Sequence, residues 1–392
     1  MHSSIAVTSD AHADTHEFWI SRAIELAQRG RGSVEPNPMV GCVVVKDGKS
    51  ISEGFHERFG EPHAEVTAIS KLPAADVEGS TVYVTLEPCA HFGKTPPCVD
   101  LLLRSKPHRV VIGLQDPFPE VAGRGIQQLR EAGIDVVVGI NADACERLMA
   151  PYLKRLRTGL PWIIAKWAMT LDGRLATHRK DSKWVTSEQT RQHSHRVRSC
   201  VDGIMIGVGT LLADDPMLNA RAIAQGSDAS LPYALLGNRN PTRIVMDRQA
   251  RTPVDSRLVQ SSGEHRTMIV CGPTADSRRV DALREHGCEV VVCSNESSPT
   301  MIQELSKILV PSGMTNLLVD GGPRLIGNLI DHQLVDELHV YIAPKIVGGT
   351  PTVVPNNGQG VLRMDLAHAI KNIRRQLIGE DLFLSGFCHY VK

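Results

Sequence analysis

Apolar and polar positions in this chain follow two rhythms that alternate along its length. The spacing of Phe18, Ala23, Ile24, Leu26 and Ala27 predicts an amphipathic helix over 17–28, stopped by Gly30 and Gly32. Pro36-Asn37-Pro38 then enters the apolar run VGCVVV, a buried strand, and Asp47-Gly48 turns into a second strand over 50–56. Pro62 stands at the start of a helix expected to carry His63 and Glu65. A strand over 81–86 delivers Glu87-Pro88-Cys89, where a further helix is expected to begin. Strands at 109–114 and 135–138, with helices near 125–132 and 142–155, complete the series. Strands alternating with helices predict a three-layer α/β domain.

A boundary is expected at Thr158-Gly159-Leu160-Pro161. Beyond it, strand signals recur at 162–168, 203–207, 243–247, 268–271, 289–293, 316–320 and 337–342, and helical ones at 187–199, 277–286, 301–309 and 324–331. The stretch 221–237, rich in Ala, Ser and Gly, reads as a surface loop. The expected division is a disordered extension over 1–15, one domain over 16–158 and a second over 159–392. A length of 392 residues suits two cores better than one.

Charge narrows the function. Lys plus Arg and Asp plus Glu number 43 each, and a chain near neutrality lacks the basic excess of a general nucleic-acid binder. No apolar run is long enough to span a membrane, and the first residues lack a signal peptide's basic start and apolar core. Nine cysteines follow no disulfide framework, so a reducing compartment, the cytoplasm, is expected.

The chemistry concentrates between Glu61 and Cys98. One imidazole, His63, and two thiols, Cys89 and Cys98, suit a zinc ion, and three protein ligands would leave a fourth position for water. Glu65 lies close enough to His63 to handle a proton without being a ligand. This is the H-x-E…P-C arrangement of the zinc nucleobase deaminases. Eight residues separate Cys89 from Cys98 where those enzymes usually have two, and the insert carries His91 and Lys94, which suits a larger, anionic substrate. A closed structural zinc site with His91 as fourth ligand, a zinc-stabilised binding module, and a deaminase of nucleosides or RNA remain alternatives. In the second domain no G-x-G-x-x-G follows a strand. Gly207, Gly209 and Thr210 follow one strand, and Gly321-Gly322 joins another to a helix, where backbone amides could meet a phosphate.

The form PCAHFGKTPPC, with PNPMVG upstream, resembles the deaminase half of the bifunctional riboflavin-biosynthesis deaminase/reductases. KWAMTLDGRLAT, DSKWVTS, GVGTLLADDPMLNAR and VDGGP, in that order, resemble the reductase half. The resemblance implies a cytidine-deaminase-like α/β/α domain followed by a dihydrofolate-reductase-like α/β domain. It implies zinc on His63, Cys89 and Cys98, Glu65 as the catalytic group, and Asn37, His56, His91 and Lys94 on the substrate. It implies NADPH at Lys166, Ala168, Trp184, Thr210, Asp214, Gly321, Gly322, Arg324 and Asn328, and reductase substrate at Ser182, Thr186, Arg198, Leu218, Arg221 and Asp320. The substrate implied is a small phosphorylated pyrimidine, and a homo-oligomer is expected, with no nucleic-acid or membrane partner. Two departures stand out: Phe118 replaces the family's usual Asn, and Asp320 its usual Glu. The shorter carboxylate leaves a catalytically silent second domain as an alternative.

Overall fold

The computed structural model describes residues 15–92, 96–118, 122–179, 181–220, 240–349 and 353–391. Lys94, Arg221, the expected loop 221–237 and nearly all of the expected extension lie outside the described residues. The chain divides into two compact units, one running through Arg157 and the other starting at Thr158.

Helix α1 (His16–Ala27) starts where the Thr15 hydroxyl accepts the Phe18 amide at 3.2 Å. It lies over strand β1 (Gly41–Lys46), so close that a Cβ on Gly41 would sit 1.9 Å from the Ala23 carbonyl oxygen. Strand β2 (Lys49–Phe55), the short helices α2 (Ala64–Ile69) and α3 (Ala74–Val77), and strand β3 (Thr81–Leu86) follow. Next come α4 (Cys98–Ser105), β4 (Arg109–Leu114), α5 (Arg124–Glu131), β5 (Asp135–Val138), α6 (Ala142–Leu148) and α7 (Ala150–Thr158). The strands order β2-β1-β3-β4-β5, with β3, β4 and β5 parallel.

Alternation along each strand divides the core. Val43, Val45, Tyr83 and Val111 pack with α1, α6 and α7, while Cys42, Val44, Val82, Val84, Val110 and Ile112 pack with α2, α4 and α5. Burial on both faces explains the continuous apolar run of β1, and each buried valine or isoleucine contributes about 1.5–3 kcal/mol.

Two expectations are corrected here. No helix begins at Cys89: residues 87–92 are irregular, and Pro97 is the N-cap of α4. Pro96 and Pro97 lack amide hydrogens and cannot lie inside a helix, but they can introduce one. The helix expected over 142–155 is two helices that break at Met149, just before Pro151.

The second unit holds β6 (Trp162–Thr170), α8 (Glu188–Ser199), β7 (Gly203–Gly207), α9 (Val208–Asp214), β8 (Thr242–Met246), α10 (Arg257–Gln260) and β9 (Thr267–Cys271). It continues through α11 (Ser277–Glu285), β10 (Glu289–Val292), α12 (Ser298–Leu309), β11 (Asn316–Val319), α13 (Pro323–Asp331), β12 (Glu337–Ala343), β13 (Ala369–Ile378) and β14 (Asp381–His389). Its described strands form one sheet, β10-β9-β8-β7-β11-β6-β12-β14-β13. The sheet is parallel as far as β12 and antiparallel in the closing hairpin. Helices α12 and α13 cover one face, and α8, α9 and α11 the other.

The hairpin β13–β14 and helix α9 carry no expectation above. Strand β13 is exposed at most of its positions, so it lacks the two-residue alternation that marks a half-buried strand.

Candidate functional site

In the first unit the carboxyl ends of β3 and β4 and the start of α2 converge, the edge at which open parallel sheets bind ligands. His63 is the N-cap of α2 rather than part of the helix, with extended backbone, and Glu65 lies in its first turn. Cys89 follows β3 in the irregular segment, and Cys98 is the first residue of α4. Both sulfurs face one nitrogen: His63 Nδ1 lies 3.5 Å from Cys89 Sγ and 3.3 Å from Cys98 Sγ. All three donor atoms lie within 4.8 Å of one another, and His91 does not join them. Tetrahedral zinc with thiolate and imidazole ligands requires edges of about 3.6 Å between sulfur and nitrogen, so the described geometry fits the ion.

The charges fit as well. The Cys98 thiol and His63 hold Cys89 on the thiolate side against the cost of burial, and that thiolate keeps Cys98 protonated. A dication resolves the conflict by taking both sulfurs as thiolates. The Cys98 amide, at the start of α4, donates to Cys89 Sγ at 3.3 Å. The helix start anticipated at Cys89 thus serves that sulfur from nine residues downstream.

Glu65 is buried, 3 % exposed, and burial pushes its carboxyl above the usual range. A raised carboxyl is suited to taking and returning a proton near neutral pH. Burial also keeps His56 neutral, so its Nδ1–H donates to the Pro62 carbonyl at 3.1 Å and its Nε2 accepts from the Asn37 side-chain amide at 3.2 Å. His56 in turn stands edge-on to His63, with ring centroids 5.4 Å apart. Asn37 and His56 are therefore brought beside the cluster. His91 lies against Phe118, with ring centroids 6.0 Å apart.

In the second unit register does the assembling. Val319 on β11 pairs with Ala165 on β6, which sets Asp320 and Lys166 abreast just beyond. Lys166 Nζ donates to Asp320 Oδ1 at 2.9 Å, and Arg198 Nε, from the end of α8, donates to Oδ2 at 2.8 Å. Burial alone would raise the Asp320 carboxyl, but Arg198 and Lys166 outweigh it and hold the group well below the usual range. Tyr341, opposite Ala168 on β12, lies under Lys166 Nζ at 5.6 Å from its ring centroid and bonds His193 Nδ1 at 2.8 Å. Burial lowers His193 to about 4, so that imidazole is neutral.

Thr210, on α9, meets the Gly-Gly turn: a Cβ on Gly321 would lie 3.2 Å from Thr210 Cγ2, and one on Gly322 3.4 Å from its Oγ1. Both glycines have positive φ, at 125° and 95°, so the turn admits little else. The turn runs directly into α13, whose start has no side-chain cap. Arg324 and Asn328 stand on the first turns of α13, and Asn328 Oδ1 is buried without a partner.

Trp184 is exposed and stacked under the Arg191 guanidinium at 4.1 Å, and its carbonyl accepts from Lys345 Nζ at 2.8 Å. Thr186 is buried, with its carbonyl bonded by Arg191 at 2.9 Å, and Leu218 is buried in a left-handed conformation. Ser182 and Asp214 are exposed and stand outside the Lys166–Asp320–Arg198 trio. Tyr341 and Glu87 were not singled out from the sequence; a strand tyrosine and a glutamate before Pro-Cys carry no pattern of their own.

The chain matches the family described as the RibD C-terminal domain over residues 161–377, and the cytidine and deoxycytidylate deaminase zinc-binding region over 13–114. It is 41% identical to the riboflavin biosynthesis protein RibD of Actinobacillus pleuropneumoniae, over 93% of each chain. Against the RibD of Escherichia coli K12 the identity is 42%, over 85% of this chain and 88% of that one. Among solved structures, Acinetobacter baumannii RibD superposes with a TM-score of 0.80 at 33% identity, covering 96% of this chain and 99% of that one. A Thermotoga maritima protein titled diaminohydroxyphosphoribosylaminopyrimidine deaminase/5-amino-6-(5-phosphoribosylamino)uracil reductase gives 0.79 at 32%, covering 97% of this chain and 100% of that one. Agreement that runs through both units and nearly the full length of each partner exceeds a shared module: this chain belongs to the RibD family of riboflavin biosynthesis proteins.

Proposed function

We infer that the chain catalyses two consecutive steps of riboflavin biosynthesis. The first is hydrolytic deamination of 2,5-diamino-6-(5-phosphoribosylamino)pyrimidin-4-one. The second is NADPH-dependent reduction of the ribosyl side chain, giving 5-amino-6-(5-phosphoribitylamino)uracil. The observation that carries the reading is the meeting of His63, Cys89 and Cys98 donor atoms within 4.8 Å of one another, with buried Glu65 in the same helix start.

In the first unit His63, Cys89 and Cys98 hold the metal. Bound there, zinc would supply the Lewis acidity that makes water a nucleophile near neutral pH. Glu65 takes a proton from the attacking water, delivers it to the pyrimidine ring nitrogen and passes a second to the departing amine. The new C–O bond replaces C–N and ammonia leaves. Asn37 and His56 form one wall for the pyrimidine and His91 the other; Lys94 is taken as a further contact of the anionic substrate.

In the second unit NADPH supplies the hydride. The Gly321-Gly322 turn, with Arg324, Asn328 and Thr210, receives its phosphates, and Lys166, Ala168, Trp184 and Asp214 line its nicotinamide end. Asp320 holds Lys166 Nζ in place as proton source for the reduced oxygen and aims Arg198 at the sugar phosphate, which Arg221 shares. Ser182, Thr186 and Leu218 line the substrate.

The domains are taken as 16–158 and 159–392. Free cysteines throughout the described chain and balanced charge favour a cytoplasmic enzyme of free small molecules, with no nucleic-acid or membrane partner. Among the described residues no helix is long and apolar enough to cross a membrane. The edge strand β13 exposes Ile373 and Leu377, at 44% and 72%, a surface that favours a homo-oligomer.

Metal removal tests the reading. Chelation is expected to abolish ammonia release while NADPH-dependent reduction of the deaminated pyrimidine continues, and added zinc should restore the first step. Full deamination by metal-free protein would refute it.

A further inference from the structure

Glu87 sits between β3 and the Pro88-Cys89 pair, 3 % exposed, and its two side-chain oxygens are surrounded by backbone donors. Oε1 accepts from the amides of Gly125 at 3.0 Å and Ile126 at 3.3 Å. Oε2 accepts from those of Gly123 at 3.0 Å and Asp116 at 3.3 Å. Gly123 is the N-cap of α5 and has no side chain to offer, so Glu87 supplies the acceptor from across the fold.

The fit around this bond set is close. A Cβ on Gly125 would stand 2.4 Å from the Pro88 carbonyl oxygen, so the helix start is pressed against the residue preceding Cys89. At the other end of the loop, Asp116 accepts the Phe118 amide at 2.9 Å and the Tyr152 hydroxyl at 3.2 Å. Phe118 then meets His91, two residues past Cys89. One side chain therefore ties the segment bearing Cys89 and His91 to the loop that closes against it.

We propose that Glu87 is a positioning residue of the deaminase site, fixing the zinc ligand Cys89 and the Asp116–Phe118 loop as one rigid assembly so that metal and pyrimidine keep a set relation. Partners that orient metal ligands typically affect metal affinity or activity by about 10–100-fold. The proposal rests on the deaminase reading above, and its test separates the two.

In full-length Glu87→Gln the side-chain NH2 must face two backbone donors, which breaks half of the clamp. Gly125→Ala attacks the same junction from the other side. For each, zinc affinity is read by chelator competition, KM and kcat by ammonia release, and integrity of the chain by NADPH oxidation with the deaminated pyrimidine. Both variants are expected to bind zinc about tenfold more weakly and to raise the deaminase KM by a similar factor, with a smaller change in kcat and unchanged reduction. Parental zinc affinity and KM in Glu87→Gln would overturn the proposal, as would a loss confined to kcat or to thermal stability. If Glu87→Gln does not fold, Gly125→Ala decides by the same two quantities. Should the parent bind zinc without deaminating anything, the deaminase reading fails, and the chelator arm still judges Glu87.

Discussion

Replacing Glu65 by alanine is expected to cut ammonia release by about 10³-fold or more while the protein keeps its zinc. The expectation follows from position. Glu65 is buried in the first turn of α2, two residues from His63, yet it is not one of the three clustered donors. Its removal leaves the sulfurs and imidazole in place and takes away the group that moves protons between water, ring nitrogen and leaving amine. Zinc content by elemental analysis and NADPH oxidation with the deaminated pyrimidine should both match the parent. Ammonia release within roughly tenfold of the parent would remove Glu65 from the chemistry. Loss of zinc along with activity would make it a structural residue instead.

The second large effect concerns Asp320. In Asp320→Asn, Lys166 and Arg198 face each other with no anion between them, and breaking one side of a buried ion cluster costs about 3–5 kcal/mol. NADPH oxidation is expected to fall by about 10²-fold or more, because two cations that had been held in register lose their anchor. Thermal unfolding of the second unit should shift downwards. Deamination, which uses other residues, should persist.

The pH dependence has a definite sign. The folded carboxyl is depressed below its ordinary 3.8, so the stability it contributes is fully present above that value and is lost as pH falls through the depressed one. Stability of the parent should therefore drop in acid below about pH 4 more steeply than that of Asp320→Asn. Asp320→Glu keeps the negative charge on a longer side chain and is expected to keep the reduction. An unchanged rate in Asp320→Asn would show that the trio only braces the sheet, and a parent chain that never oxidises NADPH would make the second unit silent.

How far the sequence could be read follows from what each contact depends on. The zinc cluster was legible because its ligands carry their chemistry in their identity and in a spacing that β3 and α2 convert into proximity. The three-layer packing around β1, β3 and β4 was legible from the alternation of strands with helices and from the continuous apolar run of β1. The start of α4 was not: Pro88 looked like a helix opener, yet Pro96-Pro97 takes that role and leaves Cys89 in irregular chain. The same reasoning predicts His63 on its helix, whereas His63 is the cap.

Contacts that span long separations were legible only through resemblance. Arg198 and Asp320 lie 122 residues apart, and their pairing depends on the order of strands in the sheet. Resemblance brought both residues to the reductase site without showing that the shorter carboxylate would be engaged by two cations. Glu87 was missed altogether, because its donors come from 29 to 39 residues downstream and a single glutamate has no periodicity. Arg243 is a similar case: it is fully buried on β8 and bonds the carbonyls of Met217, Leu258 and His265, yet its sequence neighbours read as an ordinary strand.

The most direct measurement follows the products by mass spectrometry, starting from the diaminopyrimidine phosphate and the purified chain. Without NADPH the substrate should exchange its amino nitrogen for oxygen and stop; with NADPH the same product should gain two hydrogens, one as hydride on the ribosyl carbonyl carbon and one as a proton on its oxygen. A substrate left unchanged in both reactions, or reduced before it is deaminated, would contradict one chain performing the two steps in this order.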